Sequence, residues 1–250
     1  MITKIIFYNL FIVAFAFSQQ KNIKVQYSFS VSMDESVTKN LSNDQQKAIT
    51  DAQNMASAII PLLIYNDSLA IFYSEEILNV DNDFSVNVAK AFCDCLKPIY
   101  TDLKKKINYF EEPDNLFFKN TNLYLKEKIN SQWILSNEKK IIGNYICYKA
   151  TQQTRIKQAE NVLQKTITAW YCPDFPISIG PKGFGGLPGL IFELHDKNAT
   201  FGLRSITAVA TNEIIALPNV TNTVSKEDYW NEITNKMLKL KEEYEKNINK

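Results

Sequence analysis

One stretch of this 250-residue chain concentrates residues whose types and spacing suggest chemistry. Gly180, Gly183, Gly185, Gly186 and Gly189 are five of its seven glycines, and all lie in Gly180-Pro-Lys-Gly-Phe-Gly-Gly-Leu-Pro-Gly-Leu-Ile191. An average chain of this length would carry roughly 17 glycines, spread throughout. A glycine-rich run first suggests a phosphate cradle, but Lys182 is followed by Gly183 where a P-loop needs Ser or Thr. A dinucleotide fingerprint fails too, because its third glycine would fall on Pro188. Leu187-Pro188-Gly189-Leu190 instead has proline second and glycine third, the pattern of a type II turn with Gly189 at positive φ. Two roles follow for Gly186, Leu187, Pro188, Gly189, Leu190 and Ile191. They serve the turn itself, or they form a docking site with Leu187 to Leu190 at an exposed loop tip.

Other reactive residues are sparse. His195 alternates with Glu193 on one strand face, so a histidine–carboxylate pair is conceivable, but no motif supplies a nucleophile. The pairs Glu75-Glu76 and Glu111-Glu112 raise glycosidase chemistry. Adjacent strand residues point to opposite faces, which argues against it. A single histidine excludes multi-histidine metal sites, and nothing implies a cofactor. Cys93-Asp94-Cys95 reads as too tight for an easy mutual bridge. If residues 144–158 and 161–172 form a hairpin turning at Ala159-Glu160, Cys147 falls opposite Cys172. A cross-strand disulfide and a pair of buried free thiols both remain open there.

The elements that must carry these residues are mostly strands. Ile23 to Met33 alternates apolar with polar side chains, the mark of a half-buried strand. Ser42-Asn43-Asp44 opens a short helix, and 61–65 and 68–73 read as strand, turn, strand. Residues 80–96 suit a helix. Strand signals then recur at 99–100, 107–110, 116–118, 123–127, 133–135, 141–148, 163–172, 190–195 and 200–212, with a polar turn expected at 137–140. A capping start at Ser225 opens a helix over about 226–247, with Trp230, Ile233, Met237, Leu240 and Tyr244 as a stripe expected to dock on the domain. The fold class expected is α+β: a curved, mainly antiparallel sheet shaped as a bowl or half-barrel, with a few flanking helices.

The address is read from residues 1–18, where Lys4, an apolar run from Ile5 to Phe17 and Ala16-Phe17-Ser18 form an expected signal peptide cleaved before Gln19. No later segment suggests a membrane span. The formal charge of +1 falls to zero when Lys4 leaves, so no basic field invites nucleic acid. Residues 19–250 are expected to be a single exported domain, periplasmic or secreted.

Gly186-Leu-Pro-Gly-Leu-Ile191 resembles, letter for letter, the hexapeptide that names the GLPGLI family of bacterial exported proteins. Trp133-Ile-Leu135, Ile141 to Ala150, Ala169-Trp-Tyr171 and Gly180-Pro181 resemble that family's preceding blocks. The likeness covers roughly residues 20–220. The family brings no established activity. It is similar to a bowl-like domain preceding the catalytic domain of some secreted peptide:N-glycosidases. The resemblance therefore implies a binding or accessory module of the cell envelope. An envelope protein, peptide, glycan or lipid would be its partner, with aromatic side chains on the concave side of the sheet. A hydrolase of envelope or glycan material and a structural partner of an outer-membrane transporter are the alternatives.

Overall fold

The computed structural model describes residues 22–33, 38–75, 84–112, 122–158, 161–209 and 215–248. The expected signal peptide, the strand at 116–118, Glu76 and the end of the strand at 200–212 lie outside them. Among the described residues twelve strands form one sheet: β1 Asn22–Val31, β2 Pro61–Tyr65, β3 Leu69–Ser74, β4 Ile99–Asp102, β5 Ile107–Glu111, β6 Tyr124–Lys128, β7 Ile134–Ile142, β8 Tyr145–Gln158, β9 Asn161–Cys172, β10 Leu190–Asp196, β11 Ala199–Val209 and β12 Thr223–Ser225. The order across it is β12-β6-β5-β4-β3-β2-β1-β11-β10-β9-β8-β7. Every pair is antiparallel except β12 with β6. The α+β class expected from the sequence is therefore the observed one.

The order dictates curvature. Between β6 and β7 the chain passes from one flank of the sheet to the far edge, ten strand intervals away, through residues 129–133. A flat sheet would separate those strands by roughly 48 Å at about 4.8 Å per interval. Five residues reach only about 20 Å when fully extended. The sheet must curl until its flanks approach each other. The core follows the strand periodicity, with Val25, Tyr27, Phe29 and Val31 of β1 buried beside the buried strand β2. Phe201 of β11 packs on Phe29 and Phe72 with ring centroids 5.1 and 6.1 Å apart.

Helix α1 (Asn43–Ala56) starts where the sequence placed it. Ser42 Oγ accepts from the Gln45 amide at 3.3 Å, and Gln45 Oε1 accepts from the Ser42 amide at 3.0 Å, so two otherwise unpaired donors are satisfied reciprocally. Helix α2 (Phe84–Cys93) lies against α1, and the small residues Ala52, Ala56 and Ala89 are buried in the same core.

Two local expectations need correction. The polar run at 137–140 is not a turn: β7 continues through it, absorbs a register shift between Leu135 and Lys139, and turns at Gly143 with φ +61°. An edge strand tolerates such lysines and glutamates because one side faces water. Helix α3 (Lys226–Ile248) is capped by Ser225, whose Oγ accepts from the Asp228 amide at 3.0 Å. It does not dock along its stripe. Tyr229 is buried and Ile233 packs beside Leu123 and Leu125, but Trp230, Met237, Leu240 and Tyr244 are exposed. Contact is confined to the first two turns, which pack on β6, β12 and Phe110 of β5.

Candidate functional site

The glycine-rich segment occupies the gap that the curled sheet leaves open. A bridge between Ile179 and Gly185 closes the loop, with a single 3-10 turn at Pro181–Gly183. Its contacts run to the crossover strap and to β5: Trp133 Nε1 donates to the Gly185 carbonyl at 2.8 Å, and Asn108 Nδ2 donates to the Gly183 carbonyl at 2.8 Å. Asn108 is itself oriented by Thr101 Oγ1 at 2.8 Å. Behind the loop, the Tyr27 hydroxyl donates to the Ile191 carbonyl at 2.9 Å.

Why glycine is needed differs from the expectation. Gly189 is not in the left-handed region, so no type II turn forms there. A Cβ at Gly189 would lie 2.3 Å from the Cys172 carbonyl oxygen, so the requirement is close backbone approach. Gly186 meets both demands, with φ +85° and a Cβ position 2.7 Å from Ser131 Cα. The docking-tip reading also needs correction. Leu187 is 2% exposed and Leu190 and Ile191 are fully buried, leaving only Gly186 and Pro188 of the hexapeptide at the surface. The leucines face inward because the segment fills the mouth of the sheet and does not project from it.

Between this segment, β5, β6, β8 and β10 lies a cavity of about 260 Å³. Lys182, at φ +58°, extends into its wall and is nearly buried. Its ammonium pairs with Asp196, only 5% exposed, and with Asp94 Oδ2 at 3.0 Å. Burial alone would push the Lys182 pKa down, but the two carboxylates outweigh it and hold the group above its ordinary value. Asp94 lies between two cysteines whose spacing is expected to be too tight for an easy bridge. Cys93 and Cys95 are disulfide-bonded, because Asp94 at φ +54° folds the backbone until the two Cα atoms stand 5.1 Å apart. At the opposite rim, Lys226 pairs with Glu127 Oε2 at 3.0 Å and lies 4.5 Å from the Phe110 ring centroid. Gln152 of β8 is 4% exposed, and its Nε2 has no hydrogen-bond partner among the described residues.

The other candidates lie elsewhere. His195 Nε2 does contact Glu193 Oε1, at 2.7 Å, but Lys140 Nζ holds both oxygens of that carboxylate at 2.6 and 2.7 Å. Burial raises the Glu193 pKa, and its hydrogen bonds to Lys140 and His195 more than reverse this. Neither residue lines the cavity, whose β10 contribution is Asp196, the neighbour on the other face. Glu75 pairs with Lys24, Glu111 with Lys97, and Glu112 accepts from the Tyr229 hydroxyl. These three carboxylates are engaged separately and do not converge.

Strands β8 and β9 pair in the register derived from the sequence, with Tyr148 opposite Tyr171 and Gln158 opposite Asn161. Cys147 and Cys172 are accordingly neighbours. Both are buried thiols in hydrogen-bonding contact, and burial together with Cys172 pushes the Cys147 pKa up to about 12.

Nothing in the sequence singles out the cavity residues Asp94, Asn108, Gln152 and Asp196, and Lys182 stands out only as a failed P-loop position. No local motif joins them. They meet because of strand order, and the one cue in the sequence was that Lys182 sits among the glycines.

A family described as "Protein of unknown function (Porph_ging)" matches residues 153–193, a stretch that contains the hexapeptide. Among solved structures, the chain is similar to one titled "Structure of PNGF-II in C2 space group", at 14% identity and a TM-score of 0.46. The match covers 84% of this chain and 32% of that one, so this chain spans about a third of its length. No curated protein matches.

Proposed function

We propose that this chain is an exported binding module of the bacterial cell envelope, cleaved after Ser18, with residues 19–250 working as one domain that holds a small ligand in its cavity. The observation that carries the reading is the cavity itself. A strand-lined hollow walled by converging polar groups, including a buried ammonium held by two carboxylates, is the kind of surface that recognises a small polar molecule. The Gly186–Ile191 segment anchors the wall that its neighbours Lys182 to Gly185 form: its leucines are buried and its glycines let it lie against the backbone of 131 and 172. The resemblance to the GLPGLI family supports export, and the apolar run of residues 5–17 supplies the leader. No helix among the described residues is long and apolar enough to cross a membrane.

A second reading, a partner that docks on an envelope machine, is favoured by one observation, the exposed apolar stripe of α3. The Cys147–Cys172 pair is proposed as a cross-strand disulfide in an oxidising compartment. Their register and thiol contact support this.

Native mass spectrometry of the mature chain recovered from an envelope fraction tests the binding reading. A stoichiometric small-molecule adduct is expected, absent from Thr154→Trp, which fills the cavity. Wild-type protein without any adduct contradicts it.

A further inference from the structure

We propose that the Cys93–Cys95 disulfide is a redox-sensitive clamp on the cavity wall. Bridged, it holds the Asp94 carboxylate against Lys182; reduced by a dithiol, it lets Asp94 go. The clamp concerns the wall alone and does not depend on which ligand the cavity holds.

Helix α2 ends at Cys93 in a Schellman arrangement. The Cys95 amide donates to the Lys90 carbonyl at 2.9 Å, and the Asp94 amide donates to the Ala91 carbonyl at 3.2 Å. These bonds require a left-handed residue just after the helix, a place usually taken by glycine. Here it is Asp94, at φ +54°. Aspartate tolerates that conformation better than most residues but does not favour it. Its charge is also misplaced, because a carboxylate at a helix C-terminus meets the negative end of the dipole. Both preferences push Asp94 out of the position it occupies.

Two contacts oppose them. One is the ion pair with Lys182, but the Asp94 side chain is 54% exposed, and pairs with so exposed a member hold weakly. The other is the bridge, which joins the residues on either side of Asp94. A loop enclosing a single residue removes little entropy from the unfolded chain, so this bridge does little to staple the fold. Its effect is local. The bridged Cα atoms stand 5.1 Å apart, and straightening the backbone at Asp94 would carry them to about 7 Å, beyond ordinary disulfide reach.

Asp94 and Lys182 both line the cavity, so the state of the bridge is transmitted to its wall. Cys93 is fully buried and Cys95 is 6% exposed, so a reducing thiolate attacks Cys95. Cys93 leaves as a thiolate and takes a proton. The second thiol of the reductant then displaces Cys95, leaving two cysteine thiols and the reductant's own disulfide. Asp94 relaxes, and Lys182 keeps Asp196 alone.

Nitrogen-15 NMR of the mature chain with and without dithiothreitol tests the clamp, with alkylation and peptide mapping to count thiols. Reduction should free Cys93 and Cys95, speed hydrogen exchange of the Cys95 amide at least tenfold and shift the backbone amides of Lys182 and Gly183. Cys93→Ser with Cys95→Ser should show the same Lys182 and Gly183 shifts without reductant, which separates this bridge from Cys147 and Cys172. Asp94→Gly, whose cap needs no clamp, should keep its Cys95 exchange rate within threefold on reduction. Free thiols at 93 and 95 before reduction, or unmoved Lys182 and Gly183 amides after it, overturn the proposal. An Asp94→Gly chain that loosens as much as wild type overturns the role given to the left-handed aspartate.

Discussion

Replacing Lys182 with methionine probes the buried charge cluster on which the cavity wall depends. Methionine keeps the length of the stem and the left-handed backbone, so the change is confined to the ammonium. Asp196, only 5% exposed, then loses its cation. Breaking one side of a buried pair in this way costs about 3–5 kcal/mol, chiefly through the stranded charge. Asp94, more than half exposed, adds no more than about 1 kcal/mol. A urea titration followed by tryptophan fluorescence should therefore show a stability loss of about 3–5 kcal/mol with an unchanged slope. The double variant Lys182→Met with Asp196→Leu should recover most of that loss, because no charge is left to strand. A loss below about 1 kcal/mol for Lys182→Met would refute the reasoning, since that is the value of an exposed pair. So would a double variant less stable than the single one.

The same logic gives further expectations. Gly189→Ala should cost about 1–3 kcal/mol, as overpacking does, because its Cβ meets the Cys172 carbonyl at 2.3 Å; a neutral melting temperature would contradict the close approach. Leu187→Ser should destabilise by several kcal/mol at least as much as a cavity-forming change of about 2–5 kcal/mol, whereas unchanged stability with lost partner capture would restore the docking tip. Refolding in oxidised glutathione should link Cys147 to Cys172 in a non-reducing peptide map, and alkylation of both thiols after such refolding would count against the bridge. Glu193 has a folded pKa below its ordinary value of 4.5, so its contribution is complete above that pH and lost as pH falls through the folded value. The stability difference between wild type and Glu193→Gln should accordingly shrink below pH 4.5, as read from denaturant midpoints across an acid series.

Much of the architecture was legible because it is written locally. Alternation in β1, the Ser42 and Ser225 caps and the β8–β9 register all follow from neighbouring residues, and each is observed. What was not legible is what depends on distant backbone. Gly189 looks like a turn residue in its own tetrapeptide, yet its requirement comes from a carbonyl 17 positions earlier in the chain. Leu187 looks like a loop tip until the crossover of residues 129–133 shows that the loop lies inside the mouth of the sheet. The site was hidden for the same reason. Asp94, Gln152, Lys182 and Asp196 belong to separate segments, and only the curl of twelve strands makes them neighbours.

The central claim is that the polar cavity, and not the hexapeptide surface or the face of α3, is where this protein meets its ligand. Nitrogen-15 NMR of the mature chain recovered from an envelope fraction, before and after removal of its small-molecule adduct, tests it most directly. Removal of the adduct should shift the backbone amides of Thr154, Lys182 and Gly183, which line the cavity. Shifts confined to Gly186 or to residues 230–244, or no shift at Lys182 and Gly183, would contradict it.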